Sequence, residues 1–146
     1  MPAPLPIDTA VYDIGHTSGG PPGAGNNFQF TVPANSRYHI LNLNYNFSTS
    51  AAVADRYHAI SVTINANIHL IGLFAQAQTA SLTWQFHWHA GLSQHVDLTA
   101  NNLASLSMGS PLILSPGDTL QTNILGIDGG DTLANIDLIY RRWIIA

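Results

Sequence analysis

The segment Ala-Ser-Leu-Thr-Trp-Gln-Phe-His-Trp-His, residues 80–89, alternates apolar and polar side chains without interruption. Successive side chains of a β-strand point to opposite faces of a sheet, so this pattern predicts a strand with one buried face. The apolar face comprises Ala80, Leu82, Trp84, Phe86 and Trp88, and the polar face comprises Ser81, Thr83, Gln85, His87 and His89.

The same period of two recurs along most of the chain. The residues that share the mainly apolar face in each run are Phe28, Phe30 and Val32; Leu41, Leu43, Tyr45 and Phe47; His58, Ile60, Val62 and Ile64; Ile68 and Leu70; Leu120, Thr122 and Ile124; Ile136, Leu138 and Tyr140. Turn residues separate these runs, as in Ser115–Asp118 and Asp128–Asp131. About eight strands in regular spacing are typical of a sandwich or barrel. We therefore expect an all-β protein, an eight-stranded jelly-roll β-sandwich.

The N-terminal residues have a different composition. Prolines stand at positions 2, 4 and 6, a short apolar alternation follows around Val11, Tyr12 and Ile14, and residues 15–25 are dense in Gly and Pro. The stretch over residues 15–25 can hold neither a helix nor a central strand. We predict an extended arm and loop over residues 1–26 and the sandwich domain over residues 27–146. A frayed terminus without function is the alternative.

Charged residues are scarce and of two kinds. The 146 residues include four arginines, eight aspartates, and no lysine or glutamate, so that 8% of the chain is charged against a typical ~25%. A surface with this composition offers little like-charge repulsion between copies, which favours a protein built into an assembly. Drift in composition is the alternative interpretation.

Several partner classes lack a sequence signal. The chain has no cysteine, which excludes disulfides and thiolate zinc sites. It has no basic run and no apolar stretch of the ~20 residues that cross a bilayer, so we expect neither nucleic acid nor a membrane as partner. Residues 1–15 contain no Lys or Arg and no long apolar run, so no secretory signal is predicted.

Three patterns leave site chemistry open. His87 and His89 project from one face of the predicted strand and could bind one metal ion together. The pair resembles the first metal-binding motif of the cupins. His95 follows, but Gln94 stands where that motif has a glutamate ligand. Simple exposed imidazoles are the alternative. Asp128 and Asp131 could bind calcium, although a Gly-Gly turn predicts that they shape the turn. Trp84 and Trp88 could stack on a sugar, but their apolar face predicts core positions. We expect no cofactor and no enzymatic activity.

A set of segments in fixed order resembles a known family. These segments are residues 31–41 (Thr-Val-Pro-Ala-Asn-Ser-Arg-Tyr-His-Ile-Leu), 47–56 (Phe-Ser-Thr-Ser-Ala-Ala-Val-Ala-Asp-Arg), 79–83, 114–120, a Gly-Gly-Asp turn, and a last strand ending in Trp143. Over residues 28–143 the chain resembles the small jelly-roll head decoration, or cement, proteins of tailed bacteriophages. It departs from them at Asn35-Ser36, where they have Gly-Lys, and at Ala54-Asp55, where they have Gly-Asn.

The resemblance implies a homotrimer on the outer surface of the capsid of a virion, bound to the major capsid protein. The residues that we expect at interfaces are Leu5, Ile7, Val11 and Tyr12 of the arm and Arg141, Arg142 and Trp143 of the last strand, since Trp and Arg often anchor interfaces. A receptor- or glycan-binding module of a tail or fibre is the alternative function, and a metal-dependent cupin-like protein is a third. We also expect Asp55 and Arg56 to form an exposed pair that anchors a loop, worth ~0–1 kcal/mol.

Overall fold

The computed structural model describes residues 11–15, 22–90, 102–109 and 111–144, and all of their regular structure is β. The all-β class is therefore confirmed, with ten strands in these ranges where the sequence predicted about eight. Within the same ranges no helix is long and apolar enough to cross a membrane. The strands are β1 (Val11–Gly15), β2 (Gln29–Thr31), β3 (Ser36–Ser48), β4 (Tyr57–Ile64), β5 (Asn67–Leu73), β6 (Thr83–His89), β7 (Leu103–Ser107), β8 (Leu112–Leu114), β9 (Thr119–Leu125) and β10 (Thr132–Ile144).

The strands form two sheets that enclose one core, the arrangement of a β-sandwich. Sheet A has the order β1-β10-β3-β6-β7, and β8 pairs with β3; sheet B has the order β2-β9-β4-β5. Four antiparallel pairs are nested in the sequence: β4 with β5, β3 with β6, β2 with β9, and β1 with β10. Two further antiparallel pairs, β3–β10 in sheet A and β4–β9 in sheet B, connect these nested pairs into the two sheets.

The alternation of residues 83–89 is confirmed in β6. Trp84, Phe86 and Trp88 are buried, whereas Gln85 between them is exposed. Burial of an apolar side chain of this size contributes roughly 1.5–3 kcal/mol, so these three residues anchor sheet A to the core. Trp84 and Trp88 are therefore core residues, as their position in the sequence pattern predicted.

A β-bulge overturns one predicted core position, that of Leu41. Asn42 lies opposite Ile139 of β10, but Ile40 lies opposite Tyr140, so Leu41 is an extra residue in β3. A bulge leaves one residue unpaired and shifts the alternation by one. Leu41 is accordingly only half-buried, and the inward positions of β3 lie on either side of it.

A chain of polar groups crosses the core between the two sheets. Trp88 of β6 donates from Nε1 to the hydroxyl of Tyr45 at 3.3 Å, and that hydroxyl lies 3.2 Å from Nδ1 of His58 on β4. The other ring nitrogen of His58, Nε2, lies 3.1 Å from Oε1 of Gln78. The side chains of Trp88, Tyr45, His58 and Gln78 are all buried.

The contacts of Gln78 determine which group donates and which accepts in each hydrogen bond of this polar network. Its Nε2 donates to the carbonyl oxygens of Phe47 and Leu82, both at 3.0 Å. Its Oε1 must therefore accept from Nε2–H of His58, which leaves Nδ1 as the acceptor for the hydroxyl of Tyr45. One neutral tautomer of His58 satisfies every group, so the network is compatible with burial.

Burial holds His58 in this neutral form. Desolvation lowers its pKa to about 3, and the opposing effects of Gln78 and Asp131 are smaller. The imidazole ring lies on the ring of Phe86, with the two centroids 3.8 Å apart. A charged imidazolium in this place would lose its hydration and the Tyr45 hydrogen bond together.

The first prediction concerns stability in acid. Between pH 6.5 and about pH 3 the unfolded chain binds a proton at His58 that the folded chain does not, so the free energy of unfolding falls as the pH falls. We expect a loss of roughly 1–2 kcal/mol between pH 6.5 and pH 5 from this residue. Urea unfolding at several pH values measures it.

The matched variant is His58→Phe, which keeps an aromatic ring against Phe86 and has no proton to bind. It is less stable than the wild type at pH 7.5 because it leaves two polar partners unpaired, but its stability decreases less with acid. Burial also lowers the pKa of His87 and His89, so the variant retains part of the slope. An equal decrease in the two proteins would contradict the role assigned to His58.

Candidate functional site

A buried ion pair holds one end of the sandwich together. Arg56, just before β4, and Asp131, just before β10, are both 0% exposed. Arg56 donates from Nε to Oδ2 and from Nη2 to Oδ1 of Asp131, both at 2.9 Å. Its Nη1 donates to the carbonyl oxygens of Ala52 and Ala54 at 2.9 and 2.6 Å. The pair thereby joins the β3–β4 connection to the β9–β10 turn.

The carboxylate of Asp131 has all its partners inside the protein. Besides Arg56 it accepts hydrogen bonds from the backbone N–H groups of Ser50 at 2.7 Å and Asp128 at 2.8 Å. Desolvation alone would raise its pKa, but these hydrogen bonds outweigh the desolvation and hold the pKa below its ordinary value. Because its oxygens are occupied in this way, Asp131 acts as a structural anion, and the expectation that it shapes the turn is confirmed.

The structure corrects the predicted partner of Arg56. The sequence suggested an exposed pair with Asp55, but the carboxylate on Arg56 comes from Asp131, 75 positions later. Nothing in the spacing of the two residues along the chain could indicate this contact. Close packing of the loops adds to it: Gly126 has φ +76°, and a Cβ there would collide with the carbonyl oxygen of Asp55.

The second prediction is a large loss of stability on removing the arginine. Arg56→Met leaves the carboxylate of Asp131 buried without its cation, which typically costs 3–5 kcal/mol. The control is Arg37→Met, because Arg37 is exposed, and its loss should change the free energy of unfolding by less than about 0.5 kcal/mol. Urea unfolding of both variants measures the difference, and similar stabilities would contradict the buried-pair account.

The candidate metal pair lies on the outer face of sheet A. The rings of His87 and His89 are nearly parallel, with centroids 6.3 Å apart, and Nδ1 of His89 lies 2.9 Å from Oδ1 of Asn42. The described residues contain no group of three or more His, Cys, Asp or Glu side chains that could hold a metal ion, and His95 lies outside them. Metal binding by this pair stays a hypothesis from the sequence.

Around these histidines runs a surface that we call the amide strip, formed by the outward side chains of β6, of β7 and of residues 42–48 of β3, which pair with β6. Its members are Asn42, Asn44, Asn46, Ser48, Thr83, Gln85, His87, His89, Leu103, Ser105 and Ser107. None carries a permanent charge. Arg37 is exposed at the other end of β3, and Asp137 of β10 lies opposite Asn44 at the border of the strip. Desolvation lowers the pKa of both histidines, and His89 lowers that of His87 further, so both imidazoles are neutral at pH 7. The strip is uncharged, and all of its members except Leu103 are polar.

The outer face of sheet B has a different character. At the end of the described strand order, β5 presents Ile68, Leu70 and Leu73, which are 68%, 60% and 51% exposed; we call them the apolar ridge. Beside the ridge, β4 presents Ala59 opposite Leu73 and Ser61 opposite Leu70. These two small residues are only 4% and 1% exposed. They lie between Leu73 and Leu70 of β5 and Asn123 and Gln121 of β9, whose side chains are larger, and we call them the groove.

The remainder of this face is also uncharged. Asn123 and Gln121 of β9 border the groove on the side away from the ridge, and Tyr57 and Leu125 lie opposite each other at one end of the two strands. Tyr57 and Leu125 are 38% and 58% exposed. The sequence indicated a strand at Ile68 and Leu70, but exposure of this edge was not predicted, since a run of apolar residues ordinarily indicates burial.

The predicted interface residues lie in different parts of the molecule. Leu5 and Ile7 are outside the described residues, and of Val11 and Tyr12 only the backbone is described; they pair with Arg142 and Arg141 in the register of β1 on β10. Arg141, Arg142 and Trp143 are half-buried. The ring of Trp143 stacks with that of His39, with centroids 6.3 Å apart. The backbone thus places the predicted residues of β1 and β10 side by side at one edge of sheet A.

Comparison with known proteins adds no relative. No family model matches the chain, and no curated protein or solved structure matches it either.

Proposed function

We propose that this chain is a jelly-roll structural protein of a bacteriophage virion, a decoration or cement protein that binds the outer surface of the capsid as a homotrimer and stabilises the head. The nested strand pairs support the jelly-roll topology, because a long antiparallel hairpin rolled into two facing sheets has this pairing. The ordered resemblance to phage decoration proteins over residues 28–143 supports the role. The major capsid protein is the proposed partner.

The observation that carries the proposal is the lack of charge on the amide strip. The centres of protein interfaces are depleted in charged residues, because a buried charge loses hydration that a partner rarely restores. Amides and hydroxyls both donate and accept hydrogen bonds, so they can pair with a partner at small cost. Eleven neighbouring outward positions on three strands without one permanent charge therefore favour a surface that a protein covers.

The location of the strip fits a contact with a shell. Sheet A also holds β1, a strand within the predicted arm, at the opposite edge of the sheet from β7. We propose that the arm and the strip together bind neighbouring capsid subunits. Each copy bound in this way stabilises the assembled shell over its free subunits by mass action.

The third prediction tests the strip with one added charge. Gln85 is exposed in the middle of β6, and Gln85→Glu changes its shape very little. Burying the new carboxylate in a protein interface should weaken binding to capsids by at least about tenfold. Co-sedimentation of the purified protein with undecorated capsids measures this affinity.

The control is Gln76→Glu, which adds the same charge at an exposed position between β5 and β6, outside both sheets. It should bind capsids as the wild type does. Equal binding by both variants would exclude the strip as the capsid contact. Immunogold labelling of virions decides the broader proposal: label on the head supports it, whereas label on the tail tip supports the receptor- or glycan-binding alternative.

A further inference from the structure

We propose that a second copy of this chain docks on the outer face of sheet B, with the apolar ridge of one copy lying in the groove of the next. This inference rests on the proposed function in one respect, since it names the surface through which the copies of the oligomer meet. It concerns sheet B alone, so it can be tested apart from any contact with a capsid.

The amount of exposed apolar surface is the first argument. Tyr57, Ile68, Leu70, Leu73 and Leu125 are each between 38% and 68% exposed and share one sheet face. Together they present on the order of 500 Å² of apolar surface, near the upper end for the largest patch on a monomeric protein. A patch of this size in water favours a covering partner.

The shape of the face is the second argument. Leu70 and Leu73 stand directly beside Ser61 and Ala59, so a raised apolar row and a depression floored by small residues run parallel on one surface. A ridge beside a groove is complementary to a second copy of itself, because each copy supplies both halves of the contact. Reciprocal contact between two copies closes a pair, whereas a ridge and a groove that meet two different neighbours close a ring.

The electrostatics are the third argument, and they distinguish a second copy from a charged partner. The outward residues of the four strands of sheet B include no charged side chain; they are Gln29, Thr31, Tyr57, Ala59, Ser61, Thr63, Ile68, Leu70, Leu73, Thr119, Gln121, Asn123 and Leu125. Two copies that meet through this face therefore experience no like-charge repulsion. The polar border of Gln121 and Asn123 adds hydrogen-bonding area toward the ~800 Å² per partner of a stable interface.

The fourth prediction follows, and sedimentation velocity of the full chain over a range of concentrations tests it. We expect the wild type to sediment as an oligomer and Leu70→Asp to dissociate at least tenfold more readily. Val53→Asp is the matched control, because Val53 is 97% exposed in the β3–β4 loop, away from this face, and its variant should associate like the wild type. Near-ultraviolet circular dichroism confirms that each variant is folded.

Two further measurements keep the inference falsifiable. If Leu70→Asp does not fold, Leu73→Asp tests the same ridge. Leu70→Met should associate like the wild type, because methionine is an apolar side chain of similar volume to leucine. A monomeric wild type at about 100 μM, or a Leu70→Asp variant that associates as tightly as the wild type, would overturn the inference. If the chain is monomeric but binds capsids, the inference about sheet B is wrong and the decoration role is retained. If the chain forms oligomers but does not bind capsids, the decoration role is wrong and the inference about sheet B is retained.

Discussion

The buried ion pair of Arg56 and Asp131 constrains how the two sheets are arranged, and therefore where their outer faces lie. The chain passes from sheet A to sheet B between β3 and β4, and from sheet B back to sheet A between β9 and β10. Arg56 lies at the end of the first passage and Asp131 at the end of the second. A bidentate pair shielded from water therefore fixes the two crossings to each other, and with them the relative position of the sheets. The cost of desolvating both charges is offset by the backbone groups that complete their hydrogen bonds.

The chain has few charges, and their distribution follows from this arrangement. Arg56 and Asp131 form the buried pair, and Asp128 and Asp118 accept hydrogen bonds from backbone N–H groups within their own turns. The outward face of sheet B and the amide strip of sheet A are left without any. Two uncharged surfaces remain: the amide strip of sheet A, which is bordered by Asp137 of β10, and the more apolar outer face of sheet B. Faces of such different chemistry suit two different contacts, which is why we assign the strip to the capsid and the ridge and groove to a second copy.

The sequence predicted the features that depend on neighbouring residues. The alternation at Trp84, Phe86 and Trp88 predicted both the strand and its buried face, since a period of two has only one structural meaning over such a length. Leu41 was assigned wrongly, because a bulge depends on the partner strand and shifts a periodicity that otherwise continues smoothly. The partner of Arg56 was also wrong, because pairing across 75 positions depends on the topology rather than on spacing. The exposure of Leu70 was not predicted for a similar reason, because only the strand order shows that β5 lies at an edge of its sheet.

We propose that both outer faces of the sandwich are contact surfaces and that the loops joined by Arg56 and Asp131 are not. An image reconstruction of the capsid-bound oligomer, at a resolution that separates strands, distinguishes these surfaces. We expect β6 and β7 to face the shell, β5 to face a neighbouring copy, and the Arg56 loop to lie away from both. Density that leaves both sheet faces in solvent, with contacts only through the charged edge at β1 and β10, would contradict this proposal.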